Sequence, residues 1–257
     1  MANKQWTNQT SITTFILLGF SNLHQFQTIS LGECVTKLLL YSGLGCNECL
    51  LLAIMAFDRY IAICKPLNYR VIMSFKVCFQ LAAASSLTGL SVSSLAVGMV
   101  STFDFCGPNE IDHFVCDMDQ LSKLSCRKSI LAEMTVLVSC SIVTLGPFVF
   151  IIISYLYILL AILRITSSAG RQKAFSTCAS HLVVVSLYYG TIVIMYVIPT
   201  KNQSPDFHKA ISLVYTVVTP MFDPIIYSLR NKEVKGAFKK LLLHNLGGSR
   251  GSFAHYE

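Results

Sequence analysis

An acid and a base stand side by side at Asp58-Arg59, within MAFDRYIAICKPLNYR, Met55 to Arg70. The run before them is almost wholly apolar, so the pair closes a stretch that reads as buried. Charge in such a place is costly unless a neighbour neutralises it. Taken alone, the pair reads as an interfacial couple whose arginine snorkels to water. Glu48 and Asp223 are further acids inside apolar runs, and an intramembrane carboxylate needs a partner or a proton. Catalytic spacing is missing: there is no HExxH helix, no nucleophile elbow and no phosphate-cradling glycine loop. Neither an enzyme nor a resident metal or cofactor is expected. Cys46-Asn47-Glu48-Cys49 has CxxC form but lies inside an apolar run. Its thiols, like those of Cys64, Cys78, Cys140 and Cys178, are expected to fill space.

The elements that must hold these groups follow from composition. The 257 residues are 53% hydrophobic and 13% charged, against about 25% charged in ordinary soluble domains. One soluble core cannot hide that much apolar sequence. Val77 to Phe103, Met134 to Leu163 and Ala174 to Thr200 carry no Asp, Glu, Lys or Arg. Each exceeds the ~20 residues that cross a bilayer as a helix. Leu38 to Ile63 and Ala210 to Leu229 are further apolar runs interrupted by charge. The expected fold is all-α: a polytopic membrane helix bundle with five transmembrane helices, near residues 31–63, 76–103, 130–164, 172–199 and 207–229. Residues 1–30 precede this bundle (31–230), and residues 231–257 form a tail. The run FILLGF, Phe15 to Phe20, is too short to span and lacks the cleavage site of a signal peptide.

Loop charges give an orientation. Lys65 to Lys76 holds Lys65, Arg70 and Lys76 without an acid, and Arg164 to Lys173 is likewise basic. The tail carries five basic residues from Arg230 to Lys240 against Glu233. By the positive-inside rule these face the cytoplasm. The net charge of +7 thus points to membrane topology, not to nucleic acid. The acidic segment Asp104 to Lys128, with three cysteines, belongs outside, where disulfides persist. The N-terminus is then outside, the C-terminus cytoplasmic, and Asn8-Gln9-Thr10 a usable glycosylation acceptor at Asn8. Cys34, Cys106, Cys116 and Cys126 lie at the outer face, and four cysteines allow three pairings.

Several segments resemble one family in order. MAFDRYIAICKPLNY is similar to the signature of vertebrate odorant receptors, a branch of the rhodopsin-like G-protein-coupled receptors. TNQTSITTFILLGFS resembles their extracellular N-terminus, and FCGPNEIDHFVCDMDQLSKLSC their second outer loop. KAFSTCASHL resembles the start of their sixth helix, and PMFDPIIYSLRNKEVKGAFKKL their seventh helix and tail. The chain departs from the family once. Ser21 to Gln27 leads straight into Thr28-Ile29-Ser30-Leu31-Gly32-Glu33-Cys34, so helices one and two are missing from the order.

The resemblance implies a seven-helix receptor architecture reduced to five spans. It would bind a small volatile odorant and activate a heterotrimeric G protein of the cAMP-raising type. It places the odorant near Tyr41, Ser42, Gly45 and Cys46, with Ser139, Cys140 and Val143 from a second helix. Tyr189, Ile192, Val193 and Tyr196 would join from a third, and Leu213 and Thr216 from the last. Plain helix packing explains each of these as well as ligand contact does. Asp58, Arg59 and Tyr60 would form the G-protein switch, assisted by Tyr155 and Tyr227, which otherwise read as interfacial anchors. The helix-two aspartate that faces Glu48 and Asp223 in the family would be absent. The other reading is a truncated product that does not signal or stays in the endoplasmic reticulum. The resemblance also implies disulfides Cys34–Cys116 and Cys106–Cys126. Mass spectrometry of non-reduced peptides should recover those two pairs, and Cys34 joined to Cys106 would overturn the assignment.

Overall fold

A computed structural model describes residues 14–19, 26–105, 109–127, 130–196, 205–218 and 221. Asn8, Cys106, Asp223 and Tyr227 lie outside these described residues. Helix α1 spans Leu31–Cys64. Its start is set by a capping box: the Glu33 N–H donates to Ser30 Oγ at 3.2 Å, and the Ser30 N–H donates to Glu33 Oε2 at 2.8 Å. Pro66 opens a 3-10 turn, Pro66–Asn68, and a short helix α2, Tyr69–Ile72, follows. Helix α3, Phe75–Val100, is capped by Ser74. Helix α5, Ile130–Leu163, carries Pro147 inside it. Helix α6 spans Ser168–Tyr196, and α7, Pro205–Leu213, passes into a π-helical turn, Val214–Val218.

Among the described residues, four helices are long and apolar enough to cross a membrane: Leu31–Cys64, Phe75–Val100, Ile130–Leu163 and Ser168–Met195. The expected fifth, residues 207–229, enters the described residues only through α7, the π turn and Met221. The exposure pattern is that of a lipid-facing bundle. Leu137, Ile142, Leu145, Leu156 and Leu160 of α5 all stand exposed. In water such a stripe would demand a partner, whereas lipid is itself apolar.

Small sheets cap the end where α1 begins. Strand β1, Thr14–Leu18, pairs antiparallel with β2, Phe26–Ser30, and parallel with β4, Glu110–Ile111. Strands β3, Asp104–Phe105, and β5, Ser125–Arg127, form a second pair. A short helix α4, Met118–Leu124, lies between β4 and β5. The apolar run from Phe15 is therefore a strand. Phe15 and Leu17 point inward in the two-residue alternation of a sheet. Beneath it Ile29, Cys34, Leu38, Phe105 and Cys116 form one apolar core. Cys34 and Cys116 are joined by a disulfide. Cys126 is also disulfide-bonded. The stretch between β1 and β2 is too short for a bilayer helix of ~20 residues.

The described residues divide into two compact units. The first holds those up to Cys178 together with 205–209; the second holds 179–196 and those from Ala210 onward. In the first, α1 packs against α3 and α5. Small residues let α1 and α3 approach closely. A Cβ on Gly89 would stand 2.9 Å from the Gly43 carbonyl oxygen and 3.0 Å from the Asn47 nitrogen. Ser85 Oγ donates to Asn47 Oδ1 at 2.9 Å, and Ser93 Oγ to the Leu39 carbonyl at 2.9 Å. In the second unit the Tyr188 and Tyr215 hydroxyls lie 3.3 Å apart. Gly89→Leu should force α1 and α3 apart at a cost of roughly 1–3 kcal/mol or more. Thermal unfolding of the purified chain in detergent should show a clearly lowered midpoint, whereas Gly98→Leu, which faces open space, should not.

Candidate functional site

The charge pair occupies the end of α1 remote from the sheets. Arg59 Nη2 bonds Asp58 Oδ2. The Tyr69 hydroxyl donates to the other oxygen, Asp58 Oδ1, at 2.8 Å. Tyr60 and Tyr155 pack against one apolar cluster built from Ile158, Ile162 and Cys178. The Tyr60 ring meets Tyr157 edge-on at 6.1 Å. Three of the expected switch residues, Asp58, Arg59 and Tyr60, thus sit within one turn of helix, with Tyr155 delivered from α5.

Tyr69 is half-buried, and its pKa is raised. Burial comes first among the causes, and the hydrogen bond to Asp58 second. Both favour the protonated phenol, which is the form that donates.

The residues expected around a ligand fall into two groups. In the first unit, Cys46 and Cys140 lie within electrostatic reach of each other, so α1 and α5 meet there. Val143 is buried on α5, and the Ser139 hydroxyl donates back to the Thr135 carbonyl at 2.7 Å. Ser42 turns toward α3: its hydroxyl donates to the Leu38 carbonyl at 2.7 Å and bonds Ser93. Tyr41, Gly45 and Glu48 lie half-buried on α1. In the second unit, Tyr189 is buried edge-on against Tyr188 at 5.4 Å. Ile192 is half-buried and Val193 exposed, and Tyr196 closes α6. Leu213 is exposed, and Thr216 bonds back to the Ser212 carbonyl. A separate cleft of about 340 Å³ lies between α1, α3 and α5, lined by Leu50, Phe57, Leu81, Thr88 and Phe150 among others. None of the expected ligand residues lines it.

Two features escaped the sequence reading. Leu67 and Val71 are 96% and 80% exposed on the loop that carries Tyr69. They are an i, i+4 apolar pair in a loop read only for its basic charge. The second is Lys209, 2% exposed. Its Nζ donates to Asp112 Oδ1 at 2.6 Å and to the Gly19 carbonyl at 2.9 Å. Asp206 Oδ1 lies 4.0 Å away. One ammonium therefore ties the ends of two parallel strands, β1 and β4, to α7.

Comparison with known proteins decides the family. Residues 8–245 match the model of the olfactory receptor family. The chain belongs to that family. It is 47% identical to olfactory receptor 11L1 of Homo sapiens over 242 residues, 91% of this chain and 73% of that protein. It is 48% identical to olfactory receptor 10A7 of Homo sapiens, covering 83% of this chain and 68% of the relative. Olfactory receptor 5P4 of Mus musculus is also 48% identical, over 91% of this chain and 74% of its own length. The olfactory receptors are helical membrane receptors and not enzymes. This family member therefore places its charge pair at one end of a membrane helix and its disulfide-bearing cap at the other.

The tie at Lys209 should behave asymmetrically. Lys209→Met removes a buried charge and leaves Asp112, which is 54% exposed, free to be hydrated. Asp112→Asn strands the ammonium instead, and an uncompensated buried charge is the costlier outcome. Amide exchange at Ile16, whose N–H donates to the Asn109 carbonyl at 2.8 Å, should rise in both variants, and more in Asp112→Asn.

Proposed function

We propose that this chain is a receptor for a small volatile odorant that signals through a heterotrimeric G protein of the cAMP-raising type. The observation that carries the reading is the Asp58–Arg59 pair at the end of α1, beside a loop that exposes Leu67 and Val71. A charge pair held by side chains can exchange partners, and an exposed apolar pair in a basic loop suits a protein partner. Arg59 rests on Asp58 and turns to the G protein on activation, while Leu67 and Val71 supply apolar contact. Tyr60, Tyr155 and Tyr227 assist the movement, and Glu48 and Asp223 are the intramembrane acids of the bundle.

Tyr41, Ser42, Gly45, Cys46, Ser139, Cys140 and Val143 of the first unit are proposed odorant contacts, and so, taken separately, are Tyr189, Ile192, Val193, Tyr196, Leu213 and Thr216 of the second. The lining is mostly apolar with a few hydroxyls and thiols, as a small volatile requires. The chain sits in the plasma membrane with its N-terminus outside, glycosylated at Asn8, and Cys106 pairs with Cys126.

One observation favours a second reading, a non-signalling or retained variant. The β1–β2 hairpin runs straight into α1, so the face that helices one and two cover in the family meets lipid. Surface labelling of the tagged chain together with cAMP measurement across an odorant panel separates the two. The expected result is surface arrival and an odorant-dependent rise in cAMP that Arg59→Ala lowers at least tenfold at unchanged surface level. Intracellular retention with no cAMP response to any odorant would establish the second reading.

A further inference from the structure

The cleft between α1, α3 and α5 has a geometric origin. Gly89 brings α1 and α3 together opposite Gly43 and Asn47. Helices pack at an angle, so two axes that touch at one point separate away from it. Beyond Asn47 the widening wedge meets Ala53 of α1 and Ala84 of α3, side chains too small to fill it. The Phe57 and Phe150 rings, 6.4 Å apart, bridge α1 and α5 along its wall. Ala84, Thr88 and Phe150 are exposed, so the cleft opens outward, toward lipid when the helices span a bilayer. Its volume of about 340 Å³ falls within the ~300–1,000 Å³ of small-molecule sites.

Two hydroxyls line the cleft, and they differ. Ser85 Oγ is committed, donating at 2.9 Å to Asn47 Oδ1 and at 2.8 Å to the Ala82 carbonyl. Nearby, Ser86 and Ser91 close on carbonyls of their own helix at 3.0 Å and 2.8 Å. Among the described residues, the Thr88 hydroxyl makes no hydrogen bond. Thr88 stands thirteen residues from Phe75 and twelve from Val100, the two ends of α3. At ~1.5 Å per residue it is about 20 Å from one end and about 18 Å from the other, near the middle of a ~30 Å hydrocarbon layer. A hydroxyl at that depth has lost water and gained no partner, which is unfavourable. An acyl chain fills space but offers it nothing. A sterol or phospholipid keeps its polar atoms at the water interface, and bringing them to this depth would desolvate them in turn. A small molecule dissolved in the bilayer has no such tether.

We propose that this cleft is a second ligand site, for a small apolar molecule with one hydroxyl or carbonyl oxygen that enters from the bilayer. The oxygen bonds Thr88, and the hydrocarbon part lies along Ile54, Leu81 and the Phe57–Phe150 pair. The site shares no residue with the odorant contacts proposed above, and it requires only the membrane-inserted first unit, whether or not the chain signals.

The test is photolabelling of the full chain in phosphatidylcholine nanodiscs, with labelled residues mapped by mass spectrometry of peptides. The probes are decanol and decane carrying the same diazirine, at sub-saturating concentration. Labelling is normalised to Leu145, exposed on α5 outside the cleft. The decanol probe should label Phe57 and Phe150 about threefold more than the decane probe, as one hydrogen bond between groups in a membrane allows. Thr88→Val alters an exposed side chain with little change of shape. It should bring decanol labelling down to the decane level and leave the unfolding midpoint unchanged. Ala84→Phe, which fills the wedge, should remove decanol labelling of Phe57 while that of Leu145 persists. Equal labelling by the two probes, or labelling indifferent to Thr88→Val, would make the cleft an acyl-chain crevice and overturn the proposal. Cholesterol added to the nanodiscs should not displace the decanol probe; displacement would assign the cleft to a sterol and overturn the argument from depth.

Discussion

Two helix backbones approach closely only where no side chain intervenes, and the α1–α3 contact depends on that condition. Gly89 supplies it directly, with the Gly43 carbonyl and the Asn47 nitrogen in the space a Cβ would take. Hydrogen bonds from Ser85 and Ser93 follow from this closeness. Between membrane helices such bonds contribute only ~0.6 kcal/mol each on average, so fit rather than polarity sets the spacing. Everything else in the first unit is arranged around α1: α3 on one side, α5 on another, the sheets at its start and the charge pair near its end.

The cap at the start of α1 is stapled in three chemically different ways. The Cys34–Cys116 disulfide ties α1 to the loop beyond β4. The strand ladders tie the N-terminal segment to that same loop. Lys209 ties both to α7 by charge. The capping box at Ser30 and Glu33 fixes the angle at which the hairpin enters the helix. That end of the molecule is a small water-facing β structure built on a lipid-facing helical one.

The long helices were legible in the sequence because a bilayer allows few solutions. Runs such as Met134 to Leu163 exceed the hydrocarbon thickness and carry no charge. The strands were not legible: a six-residue apolar run such as FILLGF has no periodicity that separates strand from buried helix. Lys209 was hidden for another reason. Its partners Asp112 and Gly19 lie 97 and 190 positions away in the chain, and local pattern carries no trace of such a contact. Asp58-Arg59 stood out because the pair violates its apolar surroundings. Tyr69 did not, because a tyrosine in a polar loop violates nothing.

The 34 residues of α1 make a rod about 50 Å long. Its close contact with α3 at Gly43 lies between the disulfide at Cys34 and the carboxylate of Asp58. At ~1.5 Å per residue, Gly43 is about 14 Å from the first and about 22 Å from the second. The contact is therefore a fulcrum placed off-centre. A tilt that moves the disulfide end sideways by 1 Å carries the Asp58 end roughly 1.6 Å the other way, on the arm ratio of that same helical rise. The helix is a lever whose longer arm ends at the charge pair.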